Sequence, residues 1–106
     1  MSKYGNRKVA TSDGIIHDSQ KEAVRWTELK LLERSGEITD LQRQVKYELI
    51  PPQKGERAVF YIADFVYTDN RTGNTVVEDT KGFRTKEYII KRKLMLWVHG
   101  IKINEI

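Results

Sequence analysis

The run Ala58-Val59-Phe60-Tyr61-Ile62-Ala63-Asp64-Phe65-Val66-Tyr67 leaves this chain few ways to fold. So many β-branched and aromatic residues in succession read as a strand buried on both faces. A single carboxylate, Asp64, interrupts it. Residues 68–74 are dense in turn formers, and Thr75-Val76-Val77-Glu78-Asp79-Thr80-Lys81-Gly82 then reads as a second strand. Side chains alternate along a strand, so Asp79 and Lys81 share one face while Glu78 and Thr80 point the other way. A hairpin that sets Asp64 beside Asp79 gathers two carboxylates and an ammonium at one end of a sheet. Unpaired carboxylates in a strand core are costly. Convergent ones ask for a counter-charge, and a divalent cation is the usual one.

The flanking segments supply helices. Asp18 and Ser19 offer an N-cap, and Ser19-x-x-Glu22 matches a capping box ahead of a helix over residues 20–34 that stops at Gly36. Trp26 and Leu29 lie four and seven residues beyond Glu22, so Glu22 shares the face they bury. Two readings of Glu22 stay open: the capping carboxylate, or a third acid reaching over the sheet towards Asp64 and Asp79. Both hold together only if the helix starts before Ser19 with Asp18 as cap. Residues 37–50 read as a strand ended by Pro51-Pro52. A second helix is expected over residues 85–99, with Ile90, Leu94, Trp97 and Val98 as its apolar stripe and Gly100 as its stop. Residues 101–106 read as a last strand.

The order is helix, three strands, helix, strand: an α/β domain with a mixed sheet covered by helices. With 106 residues there is material for one domain and not two. Residues 1–13 read as a flexible basic arm and residues 14–106 as the domain. There is no apolar run long enough to span a membrane and no apolar leader segment. Cysteine is absent, which excludes disulfides and thiolate metal sites; a cytoplasmic setting is expected.

Net charge is +4, and its distribution matters more than its size. Lys3, Arg7 and Lys8 crowd the start, and Lys81, Arg84, Lys86, Lys91, Arg92 and Lys93 face only Glu87. Such clusters suit a polyanion; the bland alternative is a solvated helix face. His17 and His99 read as structural, Trp26 and Trp97 as core, and Phe83 as the exposed aromatic.

Strand-borne carboxylates, a helix carboxylate and a lysine form a kit for metal-assisted phosphodiester hydrolysis. A Mg²⁺ ion polarises the phosphate and acidifies a bound water, and Lys81 offsets developing charge. Here the sequence resembles the PD-(D/E)XK nuclease superfamily, a restriction-endonuclease-like core. Asp64 stands for its first strand acid, Asp79-Thr80-Lys81 for its (D/E)xK element and Glu22 for the acid many members carry on the first helix. The segments Asp18-Ser19-Gln20-Lys21-Glu22-Ala23, Glu28-Leu29-Lys30-Leu31-Leu32-Glu33 and Tyr61-Ile62-Ala63-Asp64-Phe65 resemble a small phage-encoded family of that superfamily; Ala63 stands where many members carry proline.

The resemblance implies a metal-dependent DNA endonuclease, structure-selective like Holliday junction resolvases, in phage DNA replication, recombination or processing. Glu22, Asp64, Asp79 and Lys81 would be catalytic. Asp64, Asp79, Glu22 and the Thr80 carbonyl would hold Mg²⁺, with Mn²⁺ as substitute. Arg84, Lys86, Lys91, Arg92, Lys93 and Lys8 would contact DNA. A homodimer in the host-cell cytoplasm is implied. The rival readings are an ordinary ion pair of Lys81 with Asp79 or Asp64, a non-catalytic nucleic-acid-binding module, and a protein-interaction domain docking through its sheet edge.

Overall fold

The computed structural model describes residues 7–80 and 83–106. In chain order they form β1 (Val9–Ala10), β2 (Ile16–His17), α1 (Gln20–Arg34), β3 (Ile38–Ile50), β4 (Val59–Asp69), β5 (Asn74–Asp79), α2 (Lys86–His99) and β6 (Asn104–Glu105). The expected succession of helix, three strands, helix and strand is present. The sheet runs β3-β4-β5-β6, antiparallel except for the parallel β5–β6 pair, so it is mixed. Ser19 caps α1 and Thr85 caps α2 through their side-chain oxygens, and Gly100 closes α2 in the left-handed conformation.

The β3–β4 ribbon changes faces part-way. Val45, Tyr47, Leu49, Tyr61 and Ala63 pack in one core with Tyr88 and Met95 of α2. Leu41, Phe65 and Tyr67 pack in another with Trp26 and Leu29 of α1. All these ribbon positions are odd-numbered, so a strict two-residue period would put each strand's share on one face. The phase slips between Arg43↔Phe65 and Val45↔Ala63, where Gln44 stands across from Asp64. Gln44 has a φ of 55°, a left-handed backbone uncommon outside glycine. One stretch of ribbon therefore goes to each helix, and Asp64 sits at the crossover. This explains how a carboxylate survives in so apolar a strand: it belongs to neither core and stays partly exposed.

Three expectations need correction. Of the stripe assigned to the buried face of α2, only Leu94 packs against the core: Tyr88 and Met95 are buried, whereas Ile90 is 59 %, Trp97 84 % and Val98 46 % exposed. Tyr88 and Met95 lie seven residues apart and face the sheet, and the Tyr88 hydroxyl is anchored on Glu105 at 2.7 Å. Apolar spacing alone could not choose between the two sides of so apolar a helix. Trp26, by contrast, is core as expected. The second correction concerns the N-terminal arm. Val9–Ala10 pairs with Ile16–His17, and Asp13 accepts the Trp26 indole N–H at 2.6 Å. From Val9 onwards this segment is folded against α1. The third concerns the last strand, which shortens to Asn104–Glu105.

On the α1 face, fully buried Glu78 is gripped by Arg25, with Nε to Oε1 at 2.8 Å and Nη2 to Oε2 at 2.6 Å. The Tyr67 hydroxyl also donates to it. Glu78 thus points away from Asp79, as strand alternation requires.

Candidate functional site

Helix α1 brings Glu22 to the crossover. Its backbone N–H donates to Ser19 Oγ at 3.1 Å, the first half of the capping box. The carboxylate does not return to the Ser19 amide. Oε2 accepts from the Asp18 N–H at 3.1 Å, and Oε1 accepts from Gln44 Nε2 at 3.1 Å. One oxygen serves the helix start and the other reaches the sheet. The capping box is thus half made: Glu22 serves the amide before the cap and also reaches the sheet, with Ser19 as cap and no earlier helix start.

Asp64 stands close enough to Glu22 for its charge to act on the Glu22 carboxyl. Its Oδ2 accepts both the Thr80 N–H at 2.8 Å and the Thr80 hydroxyl at 2.9 Å. Thr80 was expected to offer its carbonyl to a metal; its described role is to fix Asp64. The register that pairs Phe65 with Glu78 leaves Asp64 and Asp79 one step further along, where β5 passes on to pair with β6. Asp79 is buried and accepts the Tyr61 hydroxyl at 2.6 Å. That hydroxyl also lies in the field of Asp64, and burial with these two acids pushes the Tyr61 phenol well above its ordinary range.

Glu22 is the group whose chemistry the site changes most. Burial first, and then the adjacent Asp64 charge, push its carboxyl up to about 7 from 4.5. A folded pKa above the unfolded value means that the fold favours the protonated form. The stability it contributes is full below pH 4.5 and is lost as pH rises through 7. Glu22→Gln keeps the acceptor for Asp18 and removes the charge. It is expected to stabilise the protein at pH 8 by roughly 1–3 kcal/mol and to be near neutral at pH 4.5. Urea denaturation at the two pH values checks this; equal differences at both would contradict it.

Of the basic residues expected on DNA, four are engaged. Arg84 and Arg92 both reach Glu105 at 3.1 Å, Lys91 reaches Glu87 at 3.2 Å and Lys8 reaches Asp18 at 3.0 Å. Such partly exposed pairs are weak and exchangeable for phosphate. Lys86 and Lys93 are exposed and carry no ion pair among the described residues. Lys81 and Gly82 lie outside the described residues. His17 is fully buried, and burial, with Arg43 nearby, lowers its imidazole pKa, as befits a structural histidine. His99 donates Nε2–H to the Glu48 carbonyl at 2.7 Å. Phe83 is exposed as expected.

Gln44, Tyr61 and Glu105 were not singled out from sequence. Gln44 is one polar residue in an alternating strand, and Tyr61 is one aromatic in an apolar run. Only the folded chain shows that Gln44 touches Glu22, that Tyr61 touches Asp79 and that Glu105 holds Tyr88, Arg84 and Arg92.

No group of three His, Cys, Asp or Glu among the described residues is placed to hold a metal ion. Asp79 turns to the α2 side and to Tyr61, while Glu22 and Asp64 form a pair at the crossover. That pair still fits Mg²⁺, which commonly binds through one or two carboxylates and keeps water or substrate phosphate in its other positions.

Residues 1–102 match the family model described as a protein of unknown function, DUF1064. The chain belongs to that family. No curated protein and no solved structure matches it. For this DUF1064 member, no described helix is long and apolar enough to cross a membrane.

Proposed function

We propose that the chain is a divalent-cation-dependent endonuclease acting on DNA, with Glu22 and Asp64 at its reactive centre. The observation that carries this reading is the meeting of two carboxyls from separate elements at a partly exposed crossover, one step from Asp79-x-Lys81. When bound, the cation would polarise a phosphate and lower the pKa of water. The chain's own residues prepare the site. Thr80 fixes Asp64 through two hydrogen bonds, and the Asp18 amide and Gln44 fix Glu22. With its proton exchanged for the cation, the Glu22 carboxylate would help Asp64 hold the ion. Tyr61 orients Asp79. Lys81 enters on its sequence position, two residues after Asp79, as the group that offsets charge on the phosphate. Selectivity for branched DNA, a homodimer and a role in phage DNA processing belong to the same proposal and rest on the resemblance.

The test is a panel of labelled duplex, flap and four-way junction with Mg²⁺, Mn²⁺ or chelator. Cutting that needs the cation and is lost in Lys81→Ala, with DNA still bound, is the expected result. A second reading, a nucleic-acid-binding module that does not cut, is favoured by the Tyr61 bond that occupies Asp79 and by the lack of a three-acid group among the described residues. Salt-sensitive binding with no cutting under any cation would establish it instead.

A further inference from the structure

The side of α2 that faces away from the sheet is unusual. Lys86, Ile90, Lys93 and Trp97 recur at spacings of four, three and four, within a sector of about 60° of the helix. Trp97 is 84 % exposed and Ile90 59 %. An indole so fully in water, in a helix whose other side holds the core, has no partner among the described residues. Arg84, Lys91 and Arg92 are held by carboxylates, but Lys86 and Lys93 have none among the described residues. This strip therefore offers positive charge with an aromatic plane, over about 16 Å from Lys86 to Trp97.

We propose that this face of α2 binds single-stranded nucleic acid, with Trp97 as a stacking platform for a base and Lys86 and Lys93 as phosphate contacts. The charge argues against a second copy of this chain. Packed antiparallel about a two-fold axis, Lys86 would face Trp97 of the other copy and Lys93 would face its Ile90, so neither ammonium would meet a counter-charge. An anionic strand is complementary to them. A base, unlike an acidic side chain, also uses the indole face, and stacking of this kind tolerates any sequence. The inference rests on the reading that the chain acts on DNA, but it concerns a separate surface that needs no cation.

Oligothymidylate titrated into the full chain in chelator tests it by tryptophan fluorescence. The chain has two tryptophans, and Trp26 is only 6 % exposed, so quenching reports Trp97. The expected result is quenching on binding, affinity about tenfold or more weaker in Trp97→Ala, and most of it kept in Trp97→Phe. Lys86→Gln with Lys93→Gln should weaken binding and reduce the salt slope by about 1.4. Unchanged affinity in Trp97→Ala, equal binding of duplex without quenching, equal competition by polyglutamate, or a dimer in sedimentation that shields Trp97 would each overturn the proposal. Absence of cutting in the substrate panel leaves this quenching intact, and absence of quenching leaves cation-dependent cutting intact, so the two failures are distinguishable.

Discussion

Asp64→Asn is expected to lower cation-dependent DNA cleavage by roughly a hundredfold to a thousandfold while leaving the chain folded. The substitution is almost isosteric. The asparagine oxygen still accepts the Thr80 amide and hydroxyl, which meet Asp64 at 2.8 and 2.9 Å. The negative charge beside Glu22 is what disappears. Single-turnover cleavage checks the first consequence, and unchanged cutting would remove Asp64 from the centre. A second readout is independent of catalysis. With Asp64 neutral, one of the two chief causes that raise the Glu22 pKa is gone, so the fall of stability between pH 4.5 and 8 should flatten. A merely architectural Asp64 would not produce both effects.

The largest effect on stability is expected from Arg25→Ala. It strands the Glu78 carboxylate, whose side chain is fully buried, with only the Tyr67 hydroxyl for company among the described residues. Removing one partner of a buried ion pair costs about 3–5 kcal/mol, because the charge left behind can neither pair nor hydrate. In a chain of this size that lowers Tm by more than about 10 °C. Adding Glu78→Gln removes the stranded charge and keeps an acceptor for Tyr67, so the double variant should recover much of the loss. Thermal denaturation of the three proteins decides it. A loss under about 1 kcal/mol in Arg25→Ala would mean that Glu78 finds water or a proton at little cost.

Those two residues also show what a sequence can and cannot disclose. Both ends of α1 and the end of α2 follow from neighbouring residues: Ser19 as cap, Gly36 and Gly100 as stops; Thr85, read as the first helical residue, is the cap of α2. Local chemistry decides them, so they were legible. The strands were legible from apolar runs cut by Pro51-Pro52 and by the polar turn after Asp69. That Glu78 and Asp79 face opposite ways followed from alternation alone.

The phase slip at Gln44 and Asp64 did not. It needs two strands paired and two helices pulling on opposite faces, and no residue within a few positions announces it. The register sets Asp64 and Asp79 level on neighbouring strands, and at the slip Asp64 also meets Glu22 and Thr80. Trp97 failed for a similar reason. Helix α2 carries apolar residues on two sides, and which one is buried is set by where Tyr88 can reach Glu105. Periodicity finds a helix more surely than it finds the covered face. Glu22 was legible only as two readings, because a carboxylate has two oxygens and here each takes a different partner.

The central claim is that Glu22 and Asp64 form a carboxyl pair that holds a proton near neutrality and exchanges it for a hard cation. Carboxyl ¹³C titration of Glu22 by NMR, with and without Mg²⁺, tests it directly. A midpoint near 7 that falls by more than about one unit when Mg²⁺ is added is the predicted result. A midpoint near 4.5, or one that Mg²⁺ leaves where it was, would contradict it.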